Sequence, residues 1–239
     1  MFFRLNQKKL GYGWLLLLAI LILQAGGCQQ MAPKHSTGMS EGVITYNIRF
    51  PEVDPNSVMA SMLPDQVKTY FKESKVRTEM NFGFGMVKTV GISDSKTKSA
   101  TIMLNLFGKN YATRDGGKDI LAEGKIDYKF EFRDEIKRIA GYDCKQIIVT
   151  NKHNNTTFPI YYTEALAVQN LYWNTPFREI NGALFQFPII ANQLQMELTA
   201  VEVKSLEVAD SLFTVPESYK IISRQEFNAM IAELMEAGS

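Results

Sequence analysis

Between residues 42 and 206 the side chains alternate. Ile44, Tyr46, Ile48 and Phe50 take every second place against Val43, Thr45, Asn47 and Arg49. Val76, Thr78, Met80 and Phe82 do the same against Lys75, Arg77, Glu79 and Asn81, and Ile126, Tyr128, Phe130 and Phe132 against Asp127, Lys129, Glu131 and Arg133. A period of two puts one face of a strand on a core and the other in water. Weaker runs at 66–72, 86–93, 100–107, 110–114, 142–151, 157–163, 183–190 and 195–206 predict further strands. Asp94-Ser95-Lys96-Thr97-Lys98, Asp115-Gly116-Gly117 and Lys152-His153-Asn154-Asn155 supply turns between them. Many strands, short turns and little intervening helix predict a mainly β chain wound as an antiparallel meander. Within 195–206 the apolar phase slips from Met196 and Leu198 to Val201 and Val203, which predicts a bulge near Ala200.

Three segments carry a helical period instead. Residues 55–64 place Val58, Met59, Met62 and Leu63 on one face, and residues 164–173 offer Leu166, Val168, Leu171, Tyr172 and Trp173. The clearest is 223–237. There Ser223 can cap with Glu226 three residues on, Ile222 can staple onto Phe227, and Phe227, Met230, Ile231, Leu234 and Met235 recur at helical spacing before Gly238. Its apolar face is expected to lie on the sheet.

The first residues follow another logic. Arg4, Lys8 and Lys9 precede ten apolar residues, Trp14 to Leu23, and the run ends at Gln24-Ala25-Gly26-Gly27-Cys28. The run suits a signal segment and falls well short of the roughly 20 residues of a spanning helix. Two small residues before a Cys resemble the bacterial lipobox, in which the thiol takes a diacylglyceryl group and becomes residue one. Residues 1–27 are therefore expected to be a lipoprotein signal, 28–41 a polar flexible tether, and 42–239 a single domain. A secretory signal cut at a small residue, or an uncleaved anchor, fits the same run. By resemblance to Gram-negative sorting rules, Gln29 after the Cys implies the outer membrane, facing the periplasm.

Composition narrows the chemistry. The chain has 239 residues, 46% hydrophobic and 21% charged, with a formal net charge of +1. Loss of Arg4, Lys8 and Lys9 would leave a small acidic excess, so nothing here suits nucleic acid, which needs a basic face. Two histidines, His35 and His153, and no paired Cys-x-x-Cys give no zinc pattern. Phe82-Gly83-Phe84-Gly85 lacks the rest of a phosphate loop and reads as a hairpin turn. Ser93 lacks a nucleophile elbow, Asp134-Glu135 reads as a solvated turn, and Asn154-Asn155-Thr156 as a turn. Cys144 shares a face with Tyr142 and Ile148 and is expected to be a buried, inert thiol. No catalytic residue, metal ligand or cofactor is expected, and the chain is not expected to be an enzyme.

Several strings occur in a fixed order: Gly141-Tyr142-Asp143-Cys144-Lys145-Gln146, Ile160-Tyr161-Tyr162-Thr163-Glu164, Pro176-Phe177-Arg178-Glu179-Ile180-Asn181-Gly182-Ala183-Leu184-Phe185-Gln186-Phe187, and Asp210 to Tyr219. This order resembles a domain-of-unknown-function family of bacterial lipoproteins, itself similar to the GLPGLI family; the chain reads Glu-Ile-Asn-Gly-Ala-Leu-Phe in place of that string. By more distant resemblance the fold is similar to the lipoprotein carriers LolA and LolB. The resemblance implies a strongly curved antiparallel sheet, a half-barrel, packed on short helices with an apolar cavity between.

Two functions are then open. One is a membrane-tethered, non-catalytic binding module for an apolar ligand (a lipid or acyl chain) or a lipoprotein, with Val58, Met59, Met62, Leu63, Leu166 and Trp173 facing inward at the cavity mouth. The other is a structural or assembly lipoprotein that contacts an envelope protein and has no cavity. Both touch the membrane through the N-terminal lipid on Cys28. Cys28→Ser should abolish incorporation of radioactive palmitate and release the chain from the membrane fraction or block its maturation; a variant that still takes up the label would contradict the lipobox reading.

Overall fold

The computed structural model describes residues 38–116, 127–168, 170–191 and 194–237. The expected signal segment, Cys28, most of the expected tether, Ile126 and Gly238 lie outside the described residues. The elements run in the order β1 (Glu41–Arg49), α1 (Val58–Met62), β2 (Gln66–Lys72), β3 (Lys75–Phe82), a 3₁₀ turn (Gly83–Gly85), β4 (Val87–Asp94), β5 (Ser99–Leu106) and β6 (Lys109–Gly116). There follow β7 (Tyr128–Ile139), β8 (Tyr142–Asn151), β9 (Thr157–Thr163), β10 (Ala183–Ala191), β11 (Leu194–Lys204), a second 3₁₀ turn (Asp210–Phe213), β12 (Lys220–Ile221) and α2 (Arg224–Ala237). All strands belong to one compact unit, residues 36–239.

The strands form one sheet in the order β12-β6-β5-β4-β3-β2-β1-β11-β10-β9-β8-β7. Each of β1 to β11 pairs antiparallel with its chain neighbours, and β1 also pairs with β11, so the meander almost closes on itself. The exception among the described residues is β6 with β7: β7 ends the sheet on one side, and β6, followed by β12, lies toward the other. The sheet is not closed into a barrel, giving the antiparallel meander that the alternation implies and the curved half-barrel that the resemblance implies.

Bulges do the bending. Opposite Thr45 and Tyr46 the β11 partners are Glu202 and Ala200, so Val201 is the extra residue, beside the predicted position, and its side chain turns outward. β7 reaches Ile139, six residues past its expected end, because a second bulge between Phe132 and Ile136 absorbs Asp134 and Glu135 within the strand. Those two acids therefore sit in a strand and not in a turn. β9 and β10 pair only from Tyr161 to Thr163 and from Ala183 to Gln186. Pro159 and Pro188, which offer no amide proton, stand in the unpaired parts. Phe177 fills the wedge, stacked at 5.7 Å on Tyr128 and edge-on at 6.1 Å to Phe187.

One sheet face, the inner one, carries Ile44 and Tyr46 of β1, Val67 and Phe71 of β2 and Leu198 and Ala200 of β11. Two covers lie on it. The first is residues 164–168 and 170–182, expected to be helical in part but running as a bridge and successive turns. Leu166, Val168, Leu171 and Trp173 are all buried, a spacing that one helical face cannot hold. Asn170 in the left-handed region and Pro176 block helix as well. The second cover is α2. Glu226 N–H donates to Ser223 Oγ at 3.1 Å and Ser223 N–H to Glu226 Oε2 at 2.8 Å, a reciprocal cap. Ile222 and Phe227 pack together on Leu104.

The chain reaches α2 by going round the sheet edge. Val208 is fully buried, held by Lys72 Nζ donating to its carbonyl at 2.9 Å and by its own amide donating to Glu41 at 3.1 Å. Phe213, Val215 and Tyr219 then cover Val90, Ile92, Met103 and Ala112 on the outer face. β12 passes beside β6 in a short parallel pairing that the sequence does not signal, and Ile222 enters the inner face. Phe227→Ala should cost about 3 kcal/mol in denaturant unfolding and Ser223→Ala about 1 kcal/mol. A Phe227→Ala loss under about 0.5 kcal/mol, the scatter of surface substitutions, would mean that α2 does not contribute to the core.

Candidate functional site

The space between the two covers is a groove of about 360 Å³ on the inner face. Its floor comes from the central positions of β2 to β5: Thr69, Val76, Thr78, Gly91, Ser93, Ala100 and Ile102. Register makes these neighbours, since Thr69 faces Thr78, Thr78 faces Gly91 and Gly91 faces Ile102. The floor is low because its side chains are small. A Cβ added at Gly91 would meet no atom within 4 Å, and its backbone is ordinary strand, so a larger residue would fit. Thr69 and Thr78 pair their hydroxyls at 3.3 Å. Leu171, Tyr172, Asn174 and Thr175 form one wall, Phe187 and Ile189 continue it, and Arg224 stands at the α2 side.

One wall is fixed by an exchange at Leu184, which precedes the β9–β10 irregularity. The Tyr46 hydroxyl donates to the Leu184 carbonyl at 2.9 Å, while the Leu184 amide donates to the Tyr172 hydroxyl at 2.8 Å. Both backbone groups of Leu184 are thereby satisfied in the interior. Burial pushes the Tyr172 phenol up to about 12, and burial with the neighbouring Tyr172 raises Tyr46 well above its usual range. Gly182, with φ +134°, allows the turn before β10; a Cβ there would lie 2.5 Å from the Thr163 carbonyl oxygen.

The expected cavity residues do not converge. Val58, Met59 and Met62 on α1 are 75%, 52% and 47% exposed and point outward, because α1 buries none of its side chains. Leu63 is half-buried and lines a different hollow of about 470 Å³ with Ile48, Phe50, Val53 and Ala60. Leu166 and Trp173 are buried side chains of the first cover itself, and Leu166 joins the core beneath it. The Trp173 Nε1 is buried with no hydrogen-bond partner, and Lys98 Nζ stands 5.1 Å from its ring centroid. An acid at Met59 or Met62 would therefore meet water and carry no desolvation penalty. The floor residues do not stand out in the sequence, because hydrophobic periodicity singles out large apolar side chains. The available signal was the run of Thr, Gly, Ser and Ala at alternate positions of successive strands.

Cys144 is buried and unbridged among the described residues, and burial raises its thiol to about 11. β8 runs without a bulge, so Cys144 shares a face with Tyr142 and Ile148, and Ile147 and Val149 are buried on the opposite face. No three His, Cys, Asp or Glu side chains converge as metal ligands among the described residues.

A family model for a domain of unknown function, DUF4412, matches residues 56–175, half of the chain. The chain belongs to the DUF4412 family. The DUF4412 segment runs from the approach to α1 through β2–β9 to Thr175, so it supplies the whole groove floor and the Leu171–Thr175 part of the wall. Tyr46, Phe187, Leu198 and Arg224 are added from outside it. A crystal structure of an uncharacterised conserved protein from Thermus thermophilus is similar at 10% identity, covering 78% of this chain and 91% of that one, with a TM-score of 0.45. No curated protein matches the chain.

The buried Cys144, Tyr46 and Tyr172 keep their protons to higher pH folded than unfolded. Their contribution to stability is complete below the unfolded values, 9.0 for Cys and 10.0 for Tyr, and is lost as pH rises through the folded values, about 11 for Cys144 and about 12 for Tyr172. Denaturant midpoints should therefore hold steady up to about pH 8.5 and fall by pH 11, the unperturbed thiol titrating first. A midpoint unchanged across that window would contradict the buried assignment of these groups.

Proposed function

We propose that this chain is an envelope lipoprotein, anchored through Cys28 at the periplasmic face of the outer membrane, whose half-barrel holds an apolar ligand such as an acyl chain. The observation that carries the reading is the groove itself. A sheet filled by its own side chains would have large residues at Thr78, Gly91, Ser93 and Ala100; here the floor is hollow between two covers. The wall and floor combine aliphatic surface with a few hydroxyls, the mixture common in pockets for elongated apolar molecules. The groove has two rigid sides, the Tyr46–Leu184–Tyr172 exchange and the capped α2, so its width is set before a ligand arrives. Apart from Arg224 at its α2 side the lining carries no charge, which suits the body of an apolar chain.

Filling the floor tests this. Gly91→Phe places a ring in open space, so the melting temperature should stay level or rise, since Gly in a strand interior is unfavourable by roughly 0.5–1 kcal/mol. Uptake of a fluorescent fatty acid should fall at least ~10-fold, a loss of about 1.4 kcal/mol in binding. Wild-type protein that takes up no such probe, and carries no lipid in native mass spectrometry when purified from its own membrane, would overturn the carrier reading in favour of a structural lipoprotein that contacts an envelope protein.

A further inference from the structure

The outward-facing side chains of α1 are part of a larger feature. The β1–β2, β3–β4 and β5–β6 connections all emerge at one rim of the half-barrel. There Val58, Met59 and Met62 of α1 are joined by Phe84 and Met86 of the β3–β4 turn and Phe107 of the β5–β6 turn. The three connections are contiguous: α1 packs against the 3₁₀ turn, and Phe107 N–H donates to the Met86 carbonyl at 3.1 Å. Phe84 is 81% exposed and Phe107 67%. An apolar patch of this kind on a folded surface marks an interaction site.

Backbone geometry strengthens the case. Phe84 and Phe107 both adopt left-handed φ, +57° and +48°. Bulky residues rarely do so; Gly or Asn would be more stable at either tip. Each phenylalanine is thus unfavourable twice over, in its backbone and in its exposed ring, and neither packs in the core. Nothing in the fold requires them.

We propose that this rim inserts into the acyl boundary of a lipid bilayer, the one that carries the Cys28 anchor. The tips themselves, 58–63, 82–87 and 106–108, contain no charged residue, while Lys88 and Lys109 stand one or two residues further up the strands, at the depth of headgroup phosphates. The hollow lined by Leu63 includes none of Val58, Met59, Met62, Phe84, Met86 and Phe107, so the exposed apolar side chains of the rim lie outside it. Asp54 and Asp65 bracket α1, so the rim has no strong net charge and the driving force is apolar. The chain outside the structure is long enough. It joins the domain at Met39, whose carbonyl accepts from Ala167 N–H at 3.0 Å, at the rim opposite the tips. Residues 28–37 can span about 35 Å when extended, against roughly 30 Å along the nine-residue β1, which lets the far rim reach the same bilayer. That reach rests on the anchor reading, which palmitate labelling of Cys28 reports separately.

The test uses the full chain in a Trp14→Phe background, where the buried Trp173 gives a constant signal. Phe84→Trp protein is mixed with phosphatidylethanolamine–phosphatidylglycerol vesicles carrying brominated acyl chains. The introduced indole should shift to the blue and lose about half its emission or more, with little dependence on salt, as for apolar insertion. Lys96→Trp, at the opposite rim, should be unaffected. Changing Phe84 and Phe107 together to Asn should leave the melting temperature level or higher, yet reduce quenching of a Met59→Trp reporter at least ~3-fold. Equal quenching at positions 84 and 96, a lowered melting temperature in the Asn pair, or self-association through the tips in place of lipid quenching would each overturn the proposal.

Discussion

An antiparallel meander that curves without closing must bury an apolar inner face that its own strands cannot cover, and the missing β6–β7 pairing puts this molecule in that position. Closure would have let inward side chains fill the lumen from all sides. Left open, the sheet depends on segments outside it: residues 164–168 and 170–182 over β1, β2 and β8–β11, and α2 over β4–β6. The covers are fixed by different means. The first is held by dispersed apolar side chains and by tyrosines that satisfy the Leu184 peptide; the second by a capping box and a two-residue staple. Where they fail to meet, the sheet narrows its side chains to Thr, Gly, Ser and Ala, and a groove remains.

The path of the C-terminal segment follows from the same constraint. After β11 the chain lies first on the outer face, where Lys72, Lys75 and Arg77 hold residues 208–212 through carbonyls and Asp210. It then turns about the β6 edge as β12 and ends on the inner face. β6 thereby loses its free edge to an intramolecular strand. β7, at the other end, alternates charge instead, with Lys129, Glu131 and Arg133 paired along it, a common guard against edge-to-edge association.

Stability and function pull apart at the rim. Left-handed φ is also found at Glu73, Lys98 and Ala140, but those side chains are charged and exposed or small. At Phe84 and Phe107 the backbone asks for a small residue and the chain supplies a large apolar one. Local rules broken without a packing gain are where function is expected to lie.

Much of the architecture was legible in the chain. Strand after strand could be read from a period of two, and the slip between Leu198 and Val201 placed the β11 bulge, because alternation records which side of a sheet meets the core. The C-terminal cap was equally local in kind. What sequence could not decide was which apolar segment covers which face. Val58, Met59 and Met62 have the pattern of a buried helix face, and Leu166 to Trp173 the composition of one; the first stands in solvent and the second is interior coil. Periodicity reports that a side chain prefers burial, whereas its partner is set by sheet register and by the open seam between β6 and β7. The groove was hidden for the same reason. Thr78, Gly91 and Ser93 are ordinary in their own strands and become a floor only when neighbouring strands bring them side by side.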